Sequence, residues 1–145
     1  MELLHYSFKQ KNDWTCGPAV ARILLDYHGT QMDIEDIVKE LRTTRQGTSN
    51  TDFLRLLRRK HIPHIVRDNT RLDTLARLAR NHWVAVAYWI PFHKVSHYSI
   101  VKKIDRRRIY FHDTWYGANH SYTHEHFLKN WWDEEAARWL CAIPK

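Results

Sequence analysis

Residues 10–28 read QKNDWTCGPAVARILLDYH, and this stretch places Cys16 directly before a run of apolar residues. The apolar residues of 17–28 recur at helical spacing, so the run predicts an α-helix, and Gly29 is a typical residue to end it. A thiol at the N-terminus of a helix meets unpaired backbone N–H groups and the positive end of the helix dipole, which favour the thiolate. Gln10, six residues upstream, supplies a side-chain amide that is able to donate to an oxyanion. The stretch therefore predicts a reactive cysteine at the start of a helix.

Four more helices are predicted along the chain. Asp33 is the expected N-cap of the second helix, and Ser49 with Asp52 resembles a capping box that opens the third. Thr70 is the expected cap of the fourth helix, and residues 123–132 are predicted to form the fifth. Most of the helices therefore come before the middle of the chain.

The second half of the chain is richer in predicted strands. Five segments have the length and the composition of strands, namely residues 64–67, 83–90, 97–104, 108–113 and 138–143. A charged turn at residues 105–107 joins two of them as a hairpin. Because helices come first and antiparallel strands follow, the pattern favours an α+β fold over an alternating doubly wound fold. The length, 145 residues, predicts a single domain that spans residues 1–145.

Two polar residues at strand ends complete a candidate site around the cysteine. His97 begins one predicted strand and Asp113 ends the next. In two antiparallel strands joined by a tight turn, the start of the first lies opposite the end of the second. Asp113 is then able to accept a hydrogen bond from one imidazole nitrogen of His97 while the other faces Cys16. A nucleophilic cysteine needs such a base and such an orienting group.

These residues resemble a known family of papain-like cysteine peptidases, which cleave double-glycine leader peptides. That domain occurs at the N-terminus of bacteriocin-exporting ATP-binding-cassette transporters and in free-standing relatives. The resemblance rests on Gln10 with Cys16 six residues later, on His97 with Asp113 sixteen residues later, and on the helix-opening segment 47–49. It covers about residues 4–143 and implies a papain-like fold.

The resemblance also implies a role for each residue. Cys16 would be the nucleophile, His97 the general base and then the general acid, and Asp113 the group that orients the imidazolium. The Gln10 amide and the backbone N–H of Cys16 would form the oxyanion hole. The reaction would be hydrolysis of a peptide or protein substrate through a thioester, and no cofactor is required.

Two tryptophans near these residues are candidates for substrate binding. Trp14 and Trp115 flank Cys16 and Asp113 in predicted loops, where bulky rings are able to form the walls of a cleft that accepts small residues such as Gly-Gly. The other tryptophans lie in predicted elements and are expected mostly in the core: Trp83, Trp89, Trp131, Trp132 and Trp139.

One departure from the family pattern concerns the residue after Asp113. The family usually has proline there, whereas this chain has Thr114 and then Trp115, so the following loop is expected to differ. No transporter segments are visible in the sequence, which favours a stand-alone enzyme. The alternatives are another thiol acyl-transfer enzyme on the same fold, such as a peptidyl transferase or a deamidase, and an inactive basic binding module.

The composition indicates where the protein is expected in the cell and which kinds of partner it is expected to bind. Two cysteines are too few for a disulfide-stapled secreted fold, and the first residues lack a signal-peptide pattern. The longest apolar run, residues 83–92, is too short to span a membrane, so we expect a cytoplasmic protein. The net charge of +7 comes without a nucleic-acid-binding motif, which favours a solvated basic surface over nucleic-acid binding. The oligomeric state stays open.

The eleven histidines raise the hypothesis of a metal site. His120, His124 and His126 are close in sequence. His124 and His126, however, are two residues apart, which on a helix points their side chains in different directions. We therefore predict no metal site.

Overall fold

The structure is a computed structural model that describes residues 15–145, and at position 118 the backbone alone. Gln10 and Trp14 therefore lie outside the described residues. In chain order, the helices and strands are α1 (Cys16–Tyr27), α2 (Ile34–Glu40), α3 (Asn50–Arg59), β1 (Ile65–Arg67), α4 (Leu72–Asn81), β2 (His82–Ile90), β3 (Val95–Ile104), β4 (Arg108–Asp113), β5 (Gly117–Thr123), α5 (His124–Asn130) and β6 (Leu140–Pro144). The predicted α+β class is confirmed.

The strands form one antiparallel sheet in the order β1-β6-β2-β3-β4-β5. Five of its six strands match the predicted segments to within about two residues, the usual uncertainty of element ends. The strand β5 was not predicted, because its sequence GANHSYT is mostly small or polar and lacks the apolar alternation that marks a half-buried strand. Pairing with β4 holds it in place, with Phe111 opposite His120.

Apolar residues cover both faces of the sheet. On one face, α1 and α3 pack with the sheet through residues such as Ile23, Phe53 and Tyr98. On the other face, Phe127 of α5 packs with Phe111 of β4 in a second cluster. The central strand β2 contributes to both clusters, which explains its nearly continuous apolar sequence.

The predicted helix caps at Gly29, Asp33 and Ser49 are confirmed, and the one at Thr70 is wrong. The Ser49 side chain accepts a hydrogen bond from the backbone N–H of Asp52 at 3.0 Å, and Gly29 has a φ of 74° after α1. Thr70, however, is not the cap of α4, since that position belongs to Arg71. The reason is that the backbone N–H of Thr70 bonds to the carbonyl of Arg138 at 3.2 Å, which holds Thr70 against the segment before β6.

The start of α1 lies unusually close to the loop before α3. A Cβ atom added at Gly17 would lie 2.4 Å from Oγ1 of Thr48, well inside van der Waals contact. The Thr48 hydroxyl is itself hydrogen-bonded to the Thr43 hydroxyl at 2.7 Å, so it is not free to swing away without losing that bond. The loop therefore requires glycine directly after Cys16.

Gly17→Ala is expected to destabilise the protein by about 1–3 kcal/mol, because the added methyl group pushes against Thr48. Urea denaturation of the wild type and the variant measures the difference. The matched test repeats the substitution in a Thr48→Gly background, where the destabilisation should shrink by more than half. An equal effect of Gly17→Ala in both backgrounds would show that the contact with Thr48 is not its cause.

Candidate active site

Cys16 is the first residue of α1 and is 4% exposed. Its Sγ accepts a hydrogen bond from the backbone N–H of Tyr98 at 3.4 Å. The helix start thus brings the thiol to β3, a strand 82 residues further along the chain. An N–H donor aimed at sulfur favours negative charge on that sulfur.

His97 and Asp113 lie side by side on the neighbouring strands β3 and β4. The Nε2 of His97 is 2.9 Å from Oδ2 of Asp113, and both residues are 3% exposed. The predicted juxtaposition of the strand start and the strand end is therefore present in the fold. Cys16 lies close enough to His97 to help raise the pKa of the imidazole.

Asp113 accepts hydrogen bonds at both of its carboxylate oxygens. Besides the bond from His97, Oδ2 accepts from the hydroxyls of Ser99 at 2.8 Å and Tyr88 at 3.3 Å. Oδ1 accepts from the backbone N–H groups of Trp115 and Tyr116, each at 2.8 Å. Five donors therefore hold the carboxylate in one orientation beneath the imidazole.

The sequence interpretation missed Ser99 and Tyr88. Ser99 lies two residues after His97 on the same strand, so strand periodicity alone places both side chains on one face of the sheet. That signal was available. Tyr88 is opposite His97 in the pairing of β2 with β3, and this register was not given by any turn motif in the sequence.

The protonation of His97 and Asp113 is set by their mutual contact. Burial by itself lowers the pKa of His97, but the charge and the hydrogen bond of Asp113, together with Cys16, outweigh burial and raise the pKa to about 10. Burial by itself raises the pKa of Asp113, but the charge and hydrogen bond of His97, with further donors, hold that pKa well below its usual range. At neutral pH the pair is therefore an imidazolium and a carboxylate.

A cavity of about 530 Å³ opens beside Cys16. Arg42 and residues 44–49 form one wall and residues 133–135 form another, while Ala87, Trp89 and Tyr98 line it from β2 and β3. Trp115 is not among the described residues that line this cavity, and it is 36% exposed. Cys16 and His97 are both among the residues that line the cavity.

Trp89 lines the cavity and stacks on Trp132, with ring centroids 4.9 Å apart. The prediction that Trp132 belongs to the core is wrong, since this residue is 39% exposed. It lies two residues after the end of α5, outside the helices and strands, and pairs with Ala137 in an isolated bridge. Trp83, Trp131 and Trp139 are buried as predicted.

The described residues contain no group of three or more histidine, cysteine, aspartate or glutamate side chains that could hold a metal ion. His120 lies instead between aromatic rings, 4.4 Å from the ring of Tyr116 and 4.6 Å from that of Tyr122, measured between centroids. Within residues 15–145, every helix is too short or too polar to cross a membrane.

The fold and the contacts of this site define a class of protein. A cysteine at the start of a helix, beside a histidine and an aspartate on an antiparallel sheet, is the arrangement of papain-like cysteine peptidases. The sequence model of the Peptidase C39 family matches residues 5–136, and the chain belongs to this family of cysteine peptidases. No curated protein sequence matches the chain.

Solved structures share the fold. The peptidase domain of Streptococcus ComA, a bifunctional ABC transporter, is 16% identical with a TM-score of 0.74, over 94% of this chain and 96% of that one. A double glycine motif protease from an AMS/PCAT transporter, solved with its leader peptide, is 16% identical with a TM-score of 0.71, over 94% and 89%. A C39-like protein from Bacillus anthracis is 10% identical with a TM-score of 0.78, over 100% and 98%. These likenesses confirm the papain-like fold.

Proposed function

We propose that the protein hydrolyses peptide bonds through a triad of Cys16, His97 and Asp113 within a single domain of residues 1–145. The observation that supports this most directly is the hydrogen bond of 2.9 Å between His97 and Asp113, next to Tyr98, whose backbone N–H donates to Sγ of Cys16. This arrangement supplies an imidazolium beside the Cys16 thiol at neutral pH.

The proposed reaction begins with attack of the Cys16 thiolate on the carbonyl carbon of the substrate. The negative charge that develops on the carbonyl oxygen is met by the backbone N–H of Cys16 and by the Gln10 amide. The role of Gln10 rests on the sequence alone, because that residue lies outside the described part of the chain. His97 then gives its proton to the leaving amine as the C–N bond breaks, and a thioester with Cys16 remains.

Water completes the proposed cycle. His97, now neutral, takes a proton from water while the oxygen attacks the thioester, and collapse of this intermediate releases the acid product and the thiolate. Asp113 stays ionised throughout and stabilises the imidazolium each time it forms.

We propose further that the substrate is a peptide cut after a pair of small residues, such as Gly-Gly in a leader peptide. The large rings of Trp89 and Tyr98 line the cavity next to the thiol, which supports a preference for residues without bulky side chains. The structural neighbour solved with a leader peptide supports the same substrate class. Trp14 and Trp115 stay proposed substrate contacts from the sequence.

Two matched synthetic peptides test this proposal, one with a central Gly-Gly and one with Val-Val in its place. We expect cleavage after Gly-Gly, detected by mass spectrometry, and at least tenfold slower cleavage of the other peptide. The same assay with added hydroxylamine separates hydrolysis from acyl transfer. A hydroxamate product without any free acid when hydroxylamine is present, and no turnover when it is absent, would favour the acyl-transfer alternative.

A further inference from the structure

A buried asparagine joins the cavity wall to the candidate active site. Asn50 begins α3 and is 5% exposed. Its side-chain amide donates to Oδ2 of Asp133 at 3.0 Å, and its backbone N–H donates to Oε1 of Glu135 at 2.7 Å. Asp133 and Glu135 both belong to the wall formed by residues 133–135.

The other end of the Asn50 side chain contacts Tyr98. The hydroxyl of Tyr98 donates a hydrogen bond to Oδ1 of Asn50, and it lies 3.3 Å from the carbonyl oxygen of Thr48. The ring of Tyr98 is stacked on Phe53 with centroids 5.2 Å apart, and Trp139 packs edge-on at 5.8 Å. The tyrosine is therefore fixed along its whole length.

Tyr98 in turn contacts the thiol. It directly follows His97 on β3, and its backbone N–H is the donor to Sγ of Cys16. Asp133 and Cys16 are thus connected through the Asn50 side chain and through Tyr98, whose hydroxyl bonds to Asn50 and whose backbone N–H bonds to Cys16.

The buried hydrogen bonds of the Asn50 side chain indicate that this residue does more than fill space in the core. Burying an amide costs free energy unless every polar atom finds a partner, and an apolar side chain fills such a space without that requirement. The side-chain N–H of Asn50 donates to the carboxylate of Asp133, and its side-chain oxygen accepts from the hydroxyl of Tyr98. A fully satisfied network of this kind fixes one geometry.

We propose that Asn50 is a positioning residue, which holds Tyr98 so that its N–H points at the Cys16 sulfur and ties the wall of residues 133–135 to the site. This inference rests on the proposed function and assigns a residue that the family resemblance did not suggest. Asn50 is not among the described residues that line the cavity, so it acts through Tyr98 and the wall and does not touch the substrate.

The test reverses the polarity of the pair between Asn50 and Asp133. Asn50→Asp removes the donor and sets a carboxylate against Asp133, so the bond is lost. In Asn50→Asp with Asp133→Asn, the new amide at position 133 donates to the new carboxylate at position 50, which still accepts from Tyr98. The net charge of the double variant equals that of the wild type.

The readout is iodoacetamide labelling of Cys16, followed by mass spectrometry from pH 5 to pH 10. We expect labelling at pH 6 to slow about tenfold in Asn50→Asp, because a misdirected N–H stabilises the thiolate less, and to approach the wild-type rate at pH 10. The kcat for the Gly-Gly peptide should fall by a similar factor with little change in KM. The double variant should recover most of both losses.

Asn130→Asp is the matched control, since Asn130 is also buried and donates to the carbonyl of His126 at 3.0 Å, away from the cavity. It should lower the thermal stability and leave the labelling profile unchanged. Wild-type labelling in Asn50→Asp, or no recovery in the folded double variant, would overturn the inference. Failure of the proposed function is a separate result, in which the wild type labels at Cys16 but cuts neither peptide.

Discussion

Cys16→Ala is expected to lower the cleavage rate of the Gly-Gly peptide by about 10⁵-fold or more. Without sulfur no thioester forms, and the remaining groups are able to contribute only positioning and oxyanion stabilisation. Loss of the nucleophile from a triad typically removes about 10⁶ in kcat. A stopped assay with mass-spectrometric detection covers this range, and circular dichroism checks that the variant is folded.

Cys141→Ala is the control for this experiment. Cys141 is fully buried in β6, where burial raises the pKa of its thiol to about 12, so it stays a neutral thiol at physiological pH. Its replacement should leave kcat within about twofold while lowering stability by about 1 kcal/mol, as for other small core truncations. A Cys16→Ala protein that still cleaves the peptide at the wild-type rate would refute the nucleophile assignment.

Asp113→Asn is expected to lower kcat/KM by about 10³–10⁴-fold at neutral pH. The carboxylate provides the main influence that raises the pKa of His97, and it accepts five hydrogen bonds that an amide is able to accept only in part. With a neutral amide at position 113, burial lowers the pKa of His97, and less of the imidazolium is present to protonate the leaving amine.

The pKa values of His97 and Asp113 determine in which direction the pH dependence of activity and stability shifts in Asp113→Asn. The folded-state pKa of His97, about 10, lies above its ordinary value of 6.5, so the pair stabilises the wild type fully below about pH 6.5 and loses this contribution as the pH rises toward 10. The pKa of Asp113 is depressed, so its contribution is lost in acid, as the pH falls below its ordinary 3.8. In Asp113→Asn, both the alkaline loss of activity and the alkaline loss of stability should move toward neutral pH.

Asp105→Asn is the matched carboxylate control. Asp105 lies in the turn between the same two strands, where the backbone N–H groups of Arg107 and Arg108 and the hydroxyl of Tyr110 lower its pKa to about 2. It is remote from His97 in the hairpin, at the opposite end of β3, so its replacement should leave the pH–rate profile unchanged. An unshifted alkaline limb in Asp113→Asn would contradict the assignment of Asp113 as the partner of His97.

The positions of His97 and Asp113 were predictable because they depend on local structure. A hairpin with a charged turn at residues 105–107 fixes which ends of its strands meet, and the observed bond joins residues only sixteen apart. The helix that starts at Cys16 was predictable for a similar reason. The helical spacing of its apolar residues marks its extent, and Gly29 marks its end. The strand β5 was not, because partners in β4 rather than its own residues specify it.

The sequence by itself determined the order of the elements other than β5, the hairpin that pairs His97 with Asp113, and the cysteine at the start of a helix. These features follow from short-range backbone geometry and from the periodicity of apolar residues. Only the tertiary structure decided which residues support them. Tyr88 reaches Asp113 through the register of β2 on β3, and Asn50 meets Asp133 across 83 residues of chain. Such contacts depend on how helices pack on the sheet, and no pattern confined to neighbouring residues encodes them.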